Sequence, residues 1–148
     1  MNLTIDASVF VSAARPSEEL YNLSYSFLQE VKREKIFCPT LILAECAAAI
    51  ARPTGDSALS RRLVSLIKHF PGMTLISLSQ SIALHAAEIT IENRLRGADA
   101  VYAAVAEDFD AILISWDEEM LQRSPKIVSA MSPMQWLDRP EERKEDRD

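Results

Sequence analysis

Glycine is nearly missing from this chain of 148 residues: Gly55, Gly72 and Gly97 are the only three. Loops that cradle phosphates need closely spaced glycines, so that backbone N–H groups can approach the ligand. Neither the P-loop nor the dinucleotide-binding class fits. Two cysteines, Cys38 and Cys46, lie in apolar settings; they are too few for a disulfide framework or a zinc site and read as core thiols. The two histidines, His69 and His85, stand apart. With no HExxH spacing and no nucleophile beside them, zinc hydrolysis and a catalytic triad get no support. No long apolar run exists either. LILAECAAAIA is broken by Glu45 and falls short of the roughly 20 residues a membrane span needs. The start, MNLTIDASVF, lacks the basic residues and apolar core of a signal peptide, so a cytoplasmic protein with no membrane attachment is expected.

What is present is apolar content of 48%, enough for one compact core in a chain of this length. One domain is expected over residues 1–139, with a charged tail over 140–148 that frays. The net charge of −6 argues at first against a nucleic-acid partner. It is unevenly spread. Glu141, Glu142, Glu145, Asp146 and Asp148 face Arg143, Lys144 and Arg147, five acids against three bases, so the tail carries −2 and the rest −4.

Along the chain, helix and strand signals alternate. Leu3 to Asp6 is a short apolar run ending in an acid, and Ser8 to Ala14 forms a brief helix with Ser8 as its cap. Leu20, Leu23, Phe27, Leu28 and Val31 repeat at helical spacing as far as about Lys35. KIFCP reads as a strand, after which Thr40 caps a helix that stops before Pro53. Leu59, Leu63, Leu66, Ile67 and Phe70 mark another helix, Pro71-Gly72 a turn, and MTLISL a strand. Helices follow over Ser81 to about Arg94 and over Ala98 to Asp108. AILIS at 111–115 is the clearest strand, KIVSAM a last one, and PMQWL a short closing stretch. Apolar strands without polar alternation, separated by helices, describe a parallel sheet of four to five strands covered on both faces, a three-layer α/β/α domain. Ligands of such sheets gather outside the carboxyl ends of the strands, where strand order reverses.

That rule selects four acids. Asp6 ends the first strand, and Asp117 lies two residues beyond AILIS. Glu45 sits in the second turn of the helix after KIFCP, and Asp99 in the first turn of a helix that from Ala98 to Ala106 is otherwise apolar except for Tyr102. Each has an ordinary explanation: a strand-end acid for Asp6, an N-cap for Asp117, a pair with Arg52 for Glu45, the helix dipole for Asp99. Four carboxylates within about 5 Å of one another would repel by roughly 3 kcal/mol per pair at an effective dielectric near 20. A hard divalent cation such as Mg²⁺ or Mn²⁺, which prefers carboxylate and water oxygens, removes that cost. A phosphoacceptor receiver domain also carries carboxylates at a sheet edge, but it wants a second acid beside Asp6 and a lysine ending the last strand, and neither is evident.

The segments IDASVF, AEC, ADAVYAAVAE, LISWDEEM and SPMQWL, in this order and spacing, resemble the PIN-domain nucleases, and the chain length is similar to that of the VapC-type ribonuclease toxins. The resemblance implies a PIN-like fold with metal-binding acids at Asp6, Glu45, Asp99 and Asp117. Ser115 stands where the family commonly has a threonine that helps orient the site. Trp116 departs from the polar or basic residue often found there. The activity implied is Mg²⁺- or Mn²⁺-dependent hydrolysis of RNA phosphodiester bonds. Asp6, Asp99 and Asp117 would hold the principal ion, and Glu45 would favour a second ion or order the attacking water. Arg15, Arg94 and Arg96, which flank the acidic segments, are the candidates for RNA phosphate; each is more simply explained as a solvated surface arginine. A toxin of this kind implies a cognate antitoxin over the acidic cleft and a homodimer formed through helical faces. Tyr21, Tyr25 and Phe27 could lie on such a face or in the core. The alternative is a non-toxin or catalytically inactive PIN-like module that binds RNA or protein.

Overall fold

The computed structural model describes residues 1–140; residues 141–148, nearly all of the expected charged tail, lie outside the described residues. The order is β1 (Asn2–Ile5), α1 (Ala7–Ala13), α2 (Tyr21–Glu30), a 3₁₀ turn (Val31–Arg33), β2 (Lys35–Pro39), α3 (Leu41–Thr54), α4 (Ser57–Lys68) and β3 (Met73–Ile76). It continues with α5 (Gln80–Asn93), α6 (Gly97–Asp108), β4 (Ile112–Ile114), α7 (Glu118–Arg123), a 3₁₀ turn (Ser124–Lys126), β5 (Ala130–Met131) and α8 (Pro133–Leu137).

The five strands form one sheet, all parallel, in the order β3-β2-β1-β4-β5. The chain therefore builds outward from β1 to β2 and β3, then crosses back to lay β4 on the other side of β1. The switch of direction falls between β1 and β4, where Ile5 pairs with Ile114. Helices cover the sheet in the three-layer arrangement expected. Helix α1 packs on α2, α3 and α4, while α5 pairs with α6, and α6 runs along β1, β2 and β4. From Asp99 to Ala106 every residue of α6 is buried. The small side chains of Ala100, Ala103, Ala104 and Ala106 let the helix lie close to its neighbours on all sides.

Several local expectations shift. The cap of α1 is Asp6, whose carboxylate accepts the Ser8 N–H, and Ser8 lies inside the first turn. Thr40 takes the N-cap position of α3 but has helical backbone angles and makes no side-chain cap bond. Helix α3 runs on through Pro53 to Thr54. A proline is tolerated there because only the last turn remains: the Thr54 hydroxyl donates to the Ile50 carbonyl at 2.6 Å, and the left-handed Gly55 donates its N–H to Ala51. The last strand shrinks to Ala130–Met131 because Pro125 starts a 3₁₀ turn ahead of it. Phe27, a candidate for an exposed helical face, is instead wholly buried, edge-on to Trp136 at 5.5 Å; Tyr25 is half exposed and rests on Tyr21. Both cysteines are free and buried, as core thiols. Among the described residues, no helix is long and apolar enough to cross a membrane.

Candidate functional site

The site is assembled at the carboxyl ends of β1 and β4. The Asp6 N–H extends the sheet ladder by donating to the Ile114 carbonyl at 2.9 Å, and the Ser115 N–H does the same to Met131 at 3.2 Å. Register thus sets Asp6 beside Ser115, and the Ser115 hydroxyl donates to Asp6 Oδ2 at 2.9 Å. The same hydroxyl oxygen accepts the Asp117 N–H at 2.9 Å. One buried oxygen therefore orients one acid directly and the backbone of another.

The loop after β4 is held from a second side. Trp116 donates its backbone N–H to the Ser8 hydroxyl at 3.1 Å and its indole N–H to Ser24 at 2.8 Å, and Ser24 in turn bonds Ser12 at 2.6 Å. These serines tie the loop to α1 and α2. Asp117 itself caps α7, its Oδ1 accepting the Met120 N–H at 3.0 Å. The ordinary reading of Asp117 as an N-cap is therefore correct, and it occupies only one of the two carboxylate oxygens.

Asp99 enters from the first turn of α6, and its Oδ2 accepts from Arg96 Nε at 2.9 Å. The same guanidinium reaches across to Asp117 Oδ2 at 2.6 Å and lies 3.8 Å from Glu119 Oε2. Arg123 also pairs with Glu119. Glu45 does not pair with Arg52. Its Oε1 accepts the Tyr102 hydroxyl at 2.6 Å, one turn along α6 from Asp99.

Electrostatically the four acids act on one another. The charges of Asp6 and Asp99 both bear on Glu45, and those of Asp6 and Asp117 both bear on Asp99. Burial raises the pKa of Asp6 against the bonds from Ser8 and Ser115. Burial likewise raises Glu45 despite the Tyr102 hydroxyl, and Asp99 despite Arg96. Loss of hydration outweighs the available donors in all three. Burial also pushes the Cys38 thiol, which donates to the Ile5 carbonyl just below Asp6, up to about 12. That thiol is wholly buried and turned to the Ile5 carbonyl, and the donors offered at this edge are carboxylate and hydroxyl oxygens. That chemistry fits a hard divalent cation. Among the described residues no three His, Cys, Asp or Glu side chains stand in a ready metal-holding group; the Arg96 fork bridges Asp99 and Asp117.

The three arginines expected at RNA phosphate divide. Arg15 pairs with Glu18 at 3.0 Å. Arg94 is a left-handed residue at the end of α5 whose carbonyl accepts from Arg123. Arg96 faces the chain's own carboxylates, because α6 places Asp99 three residues after it and the loop after β4 brings Asp117 to the same fork. Tyr102, Ser24 and Glu119 had no expected role at the site, and Ser8 was expected only as the cap of α1. A signal existed for Tyr102 alone: it is a polar residue in an otherwise apolar helix, three positions from Asp99 and on the same face.

Residues 3–126 match the family described as PIN domain. No curated protein matches the sequence. Among solved structures, the fold is similar to VapBC2 from Rickettsia felis bound to a promoter DNA fragment (TM-score 0.69, 14% identity, 89% of this chain and 98% of that one). It is also similar to Mycobacterium tuberculosis VapC20, described as a toxin that cleaves the sarcin-ricin loop (0.70, 14%, 81% and 93%). FitAcB from Neisseria gonorrhoeae is a third (0.68, 17%, 90% and 99%). At these identities the likeness is one of fold.

Proposed function

The chain belongs to the PIN domain family, and from that premise we propose that it is a metal-dependent endoribonuclease, the toxin of a toxin–antitoxin pair. The observations that support this reading are the charges of Asp6 and Asp99 bearing on Glu45, the Arg96 fork joining Asp99 to Asp117 beside the switch of strand order, and the burial that raises Asp6, Glu45 and Asp99. Desolvated acids that repel one another are costly unless a cation binds them.

Asp6, Asp99 and Asp117 would hold a Mg²⁺ or Mn²⁺ ion, which when bound lowers the pKa of a water and neutralises charge on the phosphate oxygens. The chain's own residues set the geometry. Ser115 fixes the rotamer of Asp6 and the backbone of Asp117. Tyr102 holds one oxygen of Glu45 and leaves the other to orient a water in line with the phosphorus. The hydroxyl and carboxylate contacts put these groups in place before substrate arrives, which reduces the reorganisation needed in the transition state. Arg94, which is exposed, and Arg15, half-buried beside Glu18, are the candidates for RNA phosphate.

The partner implied is an antitoxin. Support for a protein partner is an open apolar groove of about 350 Å³ between α1, α2 and α4, with Tyr25 and Leu66 half exposed along it. A homodimer is part of the same reading, drawn from the family.

The test is incubation of the purified protein with single-stranded and structured RNAs in Mn²⁺ or Mg²⁺, with and without EDTA. Cleavage is expected with metal, none with EDTA, and none by Asp6→Asn. Tight RNA binding without metal-dependent cleavage across the whole panel would instead identify a binding module.

A further inference from the structure

Arg96 joins two of the acids and is nonetheless largely exposed. Its guanidinium bonds Asp99 at 2.9 Å and Asp117 at 2.6 Å, yet its side chain is 61% exposed. Its backbone at the start of α6 is extended, and the side chain takes no part in capping that helix. Among the described residues, the partners of the fork are the carboxylates of Asp99, Asp117 and Glu119.

Asp117 makes the conflict specific. Its Oδ1 is committed to the Met120 N–H, fixed by the backbone of α7, and its Oδ2 to Arg96. The oxygen more open to an incoming cation is Oδ2, whose present partner is an exposed side chain and not backbone. The Oδ2 of Asp99 is taken by the same fork. A doubly charged ion bonded to these oxygens would sit against a guanidinium, and arginine cannot relieve the repulsion by losing its proton. Only movement of the side chain does so.

We infer that Arg96 is an internal counter-cation that competes with the divalent ion for Asp99 and Asp117, so that the arginine bridge and ion binding exclude one another. The inference rests on the proposed metal-dependent reading and concerns this chain's own control of it. Without divalent ion Arg96 offsets the repulsion between the two acids; with it, the side chain swings out through the exposed mouth of the site.

The test uses Mn²⁺ alone as probe, on the full chain stripped with EDTA. Loss of the free Mn²⁺ EPR signal reports binding with no need for RNA or turnover. Arg96→Gln removes the competing charge, and its affinity for Mn²⁺ is expected to rise about tenfold over wild type, while its melting temperature in EDTA falls. Arg96→Lys keeps a charge but cannot bridge two carboxylates as a fork, and its affinity should fall between the two; it also carries the comparison if the glutamine variant does not fold. Equal or weaker Mn²⁺ binding by the variants overturns the inference and leaves the metal-dependent reading intact. Failure of every form, wild type included, to bind Mn²⁺ overturns both.

Discussion

Ser115 and Asp6, 109 positions apart in the chain, are joined by a hydrogen bond of 2.9 Å between two wholly or almost wholly buried side chains. The contact exists because β4 pairs with β1 in parallel, with Ile5 opposite Ile114. Ser115→Ala would remove the 2.9 Å bond to Asp6 Oδ2 and leave that carboxylate to donors at its own end of α1, among them the Ser8 N–H at 3.4 Å. Such supporting bonds are worth about 10- to 100-fold in metal affinity or activity, and a loss of that size in RNA cleavage is expected. Ser115→Thr keeps the hydroxyl and should hold activity near wild type, at a packing cost of about 1–2 kcal/mol read from thermal melts. Equal activity of the alanine variant and wild type would remove Ser115 from the site.

Asp99 offers a separation of function from stability. Burial raises its pKa in spite of Arg96, so in the folded protein the charged form is held at a net cost. Asp99→Asn should therefore abolish cleavage while the protein melts in EDTA at the wild-type temperature or slightly above it. A fall of more than about 6 °C, on the order of 2 kcal/mol for a chain of this size, would assign Asp99 a structural pairing role.

Tyr102 is buried completely, and its hydroxyl serves Glu45 alone among the bonds it makes. Tyr102→Phe preserves the ring and its packing. It removes the donor from a carboxylate that burial already strains. Stability should fall by about 1–2 kcal/mol in denaturant melts, and cleavage by roughly tenfold or more, as for other groups that orient a ligand. Unchanged cleavage would mean that Glu45 is positioned without it.

Two glycines with the same backbone sign separate strain from collision. Gly55, at φ +67°, ends α3 in open space, and an alanine there meets only the left-handed penalty of about 1–2 kcal/mol. Gly72, at φ +75°, faces the Glu34 carbonyl, which a Cβ would approach to 2.2 Å. Its own carbonyl accepts the Ile36 N–H at the start of β2. Gly72→Ala should cost at least about 2 kcal/mol more than Gly55→Ala in urea unfolding, because backbone and not a flexible side chain has to move. Similar costs for the two would refute the collision.

Much of the architecture was legible. Short apolar runs such as KIFCP and AILIS have no alternation and so read as strands buried on both faces, and Ala98 to Ala106 of α6, apolar except for Asp99 and Tyr102, reads as a helix packed all round. Helix ends were less so. Asp6 and not Ser8 caps α1, and Pro53 lies inside α3, because a cap or a tolerated proline depends on which side chain finds which orphan group.

The sequence alone determined which residue types were available, their periodicity, and hence that Asp6 and Asp117 follow strands while Glu45 and Asp99 ride on helices. Strand order and register, decided only in three dimensions, made Ser115 the partner of Asp6, Tyr102 the partner of Glu45, and turned Arg96 from a presumed phosphate ligand into the bridge between Asp99 and Asp117. The physical reason is range. Periodicity and helix propensity act over a few neighbouring residues, whereas a hydrogen bond across 57 or 109 positions forms only where packing of the sheet and its helices brings both atoms within 3 Å.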